Sequence, residues 1–256
     1  MITSSENKQI KWVRKLQSKR RTRQKDNVFV IEGTRLFEEA LLAGRKPRLV
    51  LYTTGWGERF SQHLIQLESS GTQMEVVSDT VLGSCSDVEA PQGVLAVIPI
   101  EPPVTKRDHD VVLILDRLAD PGNLGTTLRT ALAADIMTVY LTPGTVDPYN
   151  PKVVRAGMGA HFYLAIQEAS IDQIIEDISD LTLWTAEALA GEVYHRVDWR
   201  KAVALVIGSE AHGIHPTLQT HAAGQVHIPI AAHSESLNAA TAAAILLFEI
   251  QRQRGN

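Results

Sequence analysis

The stretch VVLILDRLADPGNLGTTLR, residues 111–129, decides the architecture of this chain. It opens on five consecutive apolar residues, Val111 to Leu115, the pattern of a parallel strand buried on both faces. Asp120-Pro121-Gly122-Asn123 follows, turn chemistry that stops a strand and starts a helix. Residues 124–134 then read as that helix. A buried strand that feeds a helix through a short turn is the building unit of an α/β sheet, and such sheets bind ligands beyond the carboxyl ends of their strands.

The alternation continues in both directions from this unit. Downstream, strands are expected at 137–142, 162–166, 181–185, 202–207 and 225–230, with a helix near 152–158. The last helix, 237–252, is apolar on nearly every face through Phe248, so either its own chain or a second subunit must cover it. Upstream, Ile10, Val13 and Leu16 space an amphipathic helix over 6–18. Strands at 28–31, 49–53, 74–77 and 93–98 then alternate with helices at 34–43, 59–68 and 78–84. Pro99-Ile100-Glu101-Pro102-Pro103 reads as a short stiff linker. The expected domains are therefore 1–103 and 104–256.

Composition narrows the class. The 256 residues are 44% hydrophobic and 21% charged, as in well-packed soluble proteins. No apolar run reaches the ~18–20 residues of a membrane span. The N-terminal MITSSENKQIKW lacks the apolar core of a secretory signal. Cys85 is the single cysteine, which excludes an internal disulfide and a multi-cysteine zinc site. A cytoplasmic setting without membrane or metal is the expectation. The net charge of −4 conceals an asymmetry: residues 1–48 carry 13 Lys and Arg against 5 Asp and Glu. Such a basic end suits either phosphate contacts or a solvated helix face.

Three segments lie just beyond expected strands: residues 116–129, residues 206–214 (Val-Ile-Gly-Ser-Glu-Ala-His-Gly-Ile), and Ile228-Pro229-Ile230 with Ser236-Leu237-Asn238-Ala239-Ala240 further on. Each alone has a plain reading. Asp120 to Asn123 is a good helix start, Gly208 and Gly213 are ordinary turn glycines, and Ser234 or Ser236 caps the last helix. The first is not a dinucleotide fingerprint, since GxGxxG spacing is absent, and no GxxxxGK[ST] occurs.

Together, DPxNxGxxxRTA, IGxExxGI and IPI with ESLNAA, in this order, resemble the three motifs of the SpoU (TrmH-like) RNA 2′-O-ribose methyltransferases, of the SPOUT superfamily. The resemblance covers residues 111–250. Residues 1–100 are similar to that family's N-terminal L30e-like substrate-binding domain, on the basic run 15–25 leading into Phe29-Val30-Ile31-Glu32-Gly33-Thr34-Arg35 and on Gln92-Gly93.

The resemblance implies an α/β trefoil-knot domain, a homodimer, and S-adenosylmethionine held by Gly208, Ile228 and Leu237. It implies functional roles for Asn123, Arg129, Glu210, Ser236 and Asn238. Arg129 suits a fixed charge better than a general base, because a guanidinium does not deprotonate readily. Glu210 is expected to orient Arg129 or a neighbouring donor, and Ser236 to relay a proton or bond the ribose. Lys19, Arg20, Arg21, Arg23 and Arg35 are the expected RNA contacts. His212, Ser234 and His233 depart from the family's usual residues, and the two histidines read as surface residues without a task. Arg155, before Gly157-Met158-Gly159-Ala160-His161, is a further candidate phosphate contact. Ribosomal RNA is the expected substrate ahead of transfer RNA; a non-catalytic RNA-binding protein that kept the fold is the rival from another class.

Overall fold

Asn7 opens the first helix, its side chain accepting from the Gln9 amide at 2.8 Å, as an N-cap does. In this computed structural model the described residues are 1–69, 71–102, 110–233 and 235–255. The first half runs α1 (Lys8–Ser18), α2 (Arg20–Asp26), β1 (Val28–Glu32), α3 (Thr34–Leu42), β2 (Leu49–Tyr52), α4 (Thr54–Arg59), α5 (Ser61–Ser69), β3 (Gln73–Val76), α6 (Asp79–Cys85) and β4 (Val94–Pro99). The second runs β5 (Val111–Asp116), α7 (Pro121–Ala133), β6 (Thr138–Leu141), α8 (Pro151–Gly157), β7 (Ala165–Glu168), α9 (Ile171–Asp177), β8 (Thr182–Ala186), β9 (Glu192–Val193), β10 (Val203–Gly208), α10 (Pro216–His221), β11 (Gly224–His227) and α11 (Ala239–Arg254).

Two units result: Met1–Glu101 with Tyr149–Phe162, and Pro102–Pro148 with Tyr163–Asn256. The first holds a four-stranded sheet, β1-β4-β2-β3. Central β4 is antiparallel to both β1 and β2, and β2 is parallel to β3. Ile10, Val13 and Leu16, one face of α1, are buried against Val30, Leu51, Leu95 and Val97; each such side chain stabilises by roughly 1.5–3 kcal/mol on burial. Sequence reading placed 149–162 with the second half. It groups with the first because the Phe29 ring meets those of Tyr149 at 5.1 Å and His161 at 6.0 Å, while Arg45 Nε donates to the Phe162 carbonyl at 3.1 Å.

The second unit is a wholly parallel seven-stranded sheet, β7-β6-β5-β10-β8-β11-β9. Strand β10 comes late in the chain yet lies between β5 and β8. Four neighbouring strands, β5, β10, β8 and β11, therefore deliver their carboxyl ends to one edge of the sheet. Helix α7 packs against α11. The far end of α11 is tied down by Gln253, which accepts from the Trp199 amide and donates to the Val197 carbonyl, both at 3.0 Å.

Several local expectations shift. The helix expected over 59–68 is α5, which starts only at Ser61 because Phe60 leaves the helical region, its ring stacked 5.0 Å from Trp56 of the preceding α4. Residues Ala160–Phe162 form a 3-10 turn rather than the start of β7, Phe162 being held by Arg45. Strand β11 stops at His227: Pro229 has no N–H to continue a ladder. Helix α11 begins at Ala239, since Asn238 is its N-cap. Helices α2, α4, α9 and α10 and the short β9 lie outside the expected elements.

Candidate active site

Each strand exit at the shared edge has its own local cause. After β5, Asp120 accepts from the Asn123 amide at 2.7 Å, and Pro121 fills the first helical position, so α7 starts sharply. After β11, the Asn238 side chain accepts from the amides of Ala240 at 3.0 Å and Thr241 at 3.3 Å. After β10, the Ser209 and Gly213 backbones pair with each other at 3.2 and 2.9 Å, folding residues 209–213 into a closed turn.

One carboxylate joins these three exits. Glu210 Oε1 accepts from Asn238 Nδ2 at 3.0 Å, from the Ala239 amide at 3.0 Å and from Asn123 Nδ2 at 3.4 Å. Asn238 Nδ2 also donates to Asn123 Oδ1 at 2.9 Å. The carboxylate thus sits at the N-terminus of α11, where the helix dipole favours negative charge. Glu210 was expected to orient Arg129 or a neighbouring donor. Its partners are the two asparagines and a helix amide, which makes it the joint between the loops.

Beside this joint lies a cleft of about 200 Å³. Ile207, Ile228, Ile230, Leu237 and Leu246 supply apolar wall, and Glu187, Glu210 and Ser236 supply polar groups. Gly208 lines it as well, and its lack of a side chain has an intramolecular cause. A Cβ there would lie 2.5 Å from the Gly213 carbonyl oxygen and 2.7 Å from Ile214 Cγ1. A flat apolar group carrying a positive charge fits this chemistry: apolar walls for the ring and two carboxylates for the cation.

All three expected cofactor positions, Gly208, Ile228 and Leu237, border the one cleft together with Glu210 and Ser236. Asn123 and Asn238 join them through hydrogen bonds. Arg129 is not part of this network. It stands exposed on α7, about 9 Å along the helix from Asn123 at 1.5 Å per residue, and makes no hydrogen bond or ion pair among the described residues. In the first unit Lys19, Arg20, Arg21 and Arg35 are exposed. Arg23 is the correction: it is 3% exposed, and its guanidinium donates to the carbonyls of Leu16 and Gln17 in the last turn of α1. It caps a helix C-terminus and cannot reach a phosphate from there. Arg155 is paired with Asp87 at 3.1 Å. His161 is buried, whereas His212 and His233 are exposed as expected. Ser234 lies outside the described residues.

Sequence reasoning missed three residues. Glu187 lines the cleft at the end of β8, and its carboxylate accepts from Gln219 Nε2 at 3.0 Å. Asp116 ends the buried β5 and Arg117 follows it directly. Their one signal was position, a carboxylate ending an apolar strand. Among the described residues no group of three or more His, Cys, Asp or Glu converges as metal ligands would.

The chain matches the model of the SpoU rRNA methylase family over residues 110–248, and that of the MRM3-like substrate-binding domain over residues 7–96. It is 32% identical to the 23S rRNA (guanosine(2553)-2′-O)-methyltransferase RlmP of Bacillus subtilis (strain 168), across 98% of both chains. Among solved structures it resembles an AdoMet-bound rRNA methyltransferase from Sinorhizobium meliloti, with a TM-score of 0.87 and 30% identity over 98% of this chain and 97% of that one. It also resembles the SpoU methyltransferase AviRb from Streptomyces viridochromogenes in complex with AdoMet, with a TM-score of 0.86 and 25% identity over 97% and 98%.

Proposed function

The chain belongs to the SpoU rRNA methylase family, so it is an S-adenosylmethionine-dependent enzyme that methylates a ribose 2′-hydroxyl of RNA, and we propose that its target lies in large-subunit ribosomal RNA. The observation that carries the site assignment is the Glu210 joint: one carboxylate holds the three motif loops around an apolar cleft. The ribosomal target is supported by the likeness to the B. subtilis 23S rRNA enzyme over nearly all of both chains.

In this reading the cleft takes the cofactor, with Ile228 and Leu237 against the adenine and Gly208 at its floor. When bound, S-adenosylmethionine supplies a methyl already activated on a sulfonium. The chain's own part is to bring the ribose oxygen to within roughly 3–3.5 Å of that methyl and to stabilise the charge left as the hydroxyl loses its proton. Ser236, which lines the cleft, has in this reading the role of hydrogen-bonding the ribose hydroxyl and passing its proton outward. Arg129 serves as a permanent cation for an RNA phosphate and the developing alkoxide; its lack of any partner in the described protein supports that role. Asn123 and Asn238 keep the loops in register. Lys19, Arg20, Arg21 and Arg35 supply phosphate contacts from the substrate-binding unit.

A homodimer and a trefoil knot belong to the same proposal. Phe248 is 47% exposed on α11, with Ile245 half-buried on the same side, a patch that a second copy would cover. The knot rests on the family match over residues 110–248, with which the position of late β10 between β5 and β8 is compatible. No helix of the described residues is long and apolar enough to cross a membrane, and a cytoplasmic location belongs to the same proposal.

Two measurements test the reading. Calorimetric titration with S-adenosylmethionine is expected to show binding; its absence favours the non-catalytic RNA-binding role. Mapping 2′-O-methyl groups in total RNA from a deletion strain is expected to show one lost site, in large-subunit RNA. Loss confined to transfer RNA moves the target there.

A further inference from the structure

We infer that Asp116 and Arg117 form a latch that holds the 209–215 loop, and with it the cofactor cleft, in its working position. Asp116 is 0% exposed. Its Oδ1 accepts from the Thr142 hydroxyl at 2.6 Å, and its Oδ2 from the His215 amide at 2.7 Å and from Arg117 Nε at 3.3 Å. One buried carboxylate therefore fastens the exit of β5 to residues just past β6 and to the chain beyond β10. A buried charge so fully bonded is costly to disturb, because each donor left behind loses both its partner and water.

Arg117 completes the latch from outside the loop. It occupies the left-handed region at φ 56, unusual for a long side chain, and that turn aims the guanidinium along the loop. Its Nη2 donates to the carbonyls of His212 and Gly213 at 3.4 Å each. Gly144, at φ +96, leaves room for the Arg117 stem: a Cβ there would come within 3.3 Å of Arg117 Cγ. The Gly213 carbonyl is the group that presses on Gly208. The same loop presents Ile214 and Glu210 to the cleft. Arg117 thus reaches the cleft only through the loop, which makes the pair positioning residues.

This inference rests on the cleft being the cofactor site, so the test includes a variant that probes the cleft directly. The full chain is titrated with S-adenosylhomocysteine, and kcat and KM for S-adenosylmethionine are measured on an RNA substrate. Asp116 is buried and Asp116→Asn risks misfolding; Arg117→Ala, at a side chain 28% exposed, is the safer probe. Arg117→Ala is expected to weaken S-adenosylhomocysteine about 10-fold, the worth of one charge-assisted hydrogen bond. KM for S-adenosylmethionine rises in step while kcat stays within about twofold, since uniform cofactor binding is what is lost. Arg117→Lys falls between, because an ammonium restores charge without the fork. Arg117→Ala that binds as wild type while Leu237→Ala loses affinity overturns the latch and leaves the cleft assignment standing. Unchanged affinity in both variants removes the cleft itself as the cofactor site, and the latch with it. A fall in kcat at unchanged KM also overturns the latch.

Discussion

Gly208→Ala isolates the tightest constraint on the cleft. Gly208 has no need of left-handed backbone, so strain in φ does not enter, and space alone decides. The added methyl would sit 2.5 Å from the Gly213 oxygen and 2.6 Å from its carbon, where ordinary contact begins at 3.4 Å. The turn must therefore retreat by roughly 0.9 Å. The atoms in the way are backbone, held by the Ser209 pairing and by Arg117, and cannot swing aside as a flexible side chain would. Forcing a methyl into such a site costs about 1–3 kcal/mol. At about 2–4 °C per kcal/mol for a protein of this size, a drop of a few degrees in Tm is expected. Because Gly208, Gly213 and Ile214 all border the cleft, the same retreat should weaken S-adenosylhomocysteine at least about 10-fold, the factor that 1.4 kcal/mol represents. Differential scanning fluorimetry and calorimetric titration read the two effects separately. Gly83→Ala is the control: it lies within α6 with nothing within 4 Å of a new Cβ, so Tm should hold or rise slightly. Wild-type Tm and wild-type affinity in Gly208→Ala would refute the steric account of this glycine.

Three further outcomes follow from particular contacts. Arg129→Ala should abolish turnover and leave cofactor affinity nearly unchanged, because Arg129 borders no part of the cleft; near-wild-type activity removes it from the mechanism. Arg21→Ala and Arg23→Ala should part company. The exposed Arg21 contributes to RNA affinity and to its salt dependence, lowering the slope by about one on removal, whereas loss of Arg23 exposes two helix-end carbonyls and lowers stability by about 1–3 kcal/mol; equal effects on RNA binding at equal stability would contradict the burial of Arg23. Burial and then the neighbouring Asp177 push the Tyr140 phenol up to about 12. A folded-state value above the unfolded one means stability that is intact below pH ~10 and lost as pH rises toward 12. Denaturant titrations across that window should show Tyr140→Phe losing less stability with pH than wild type.

What the sequence settled by itself was the parallel sheet of the second half and the order of its loops. Those rest on local rules. A run such as Val111–Leu115 has only a doubly covered strand to occupy, and Asp120-Pro121 starts a helix whatever surrounds it. Gly208, Ile228 and Leu237 were legible through their motifs, although the reason for Gly208 was not: the carbonyl that excludes its side chain is five residues away and folds back only because Ser209 and Gly213 pair. Partners were beyond the sequence altogether. Glu210 meets Asn123 from 87 residues away, Asp116 meets His215 from 99, and Arg23 turned inward because α2 brings it under the open end of α1. Spacing along a chain fixes which side chains share a face of one element. Which carboxylate answers which donor depends on where the strands of a sheet are ordered in space, and β10 lies between two strands that precede it in sequence.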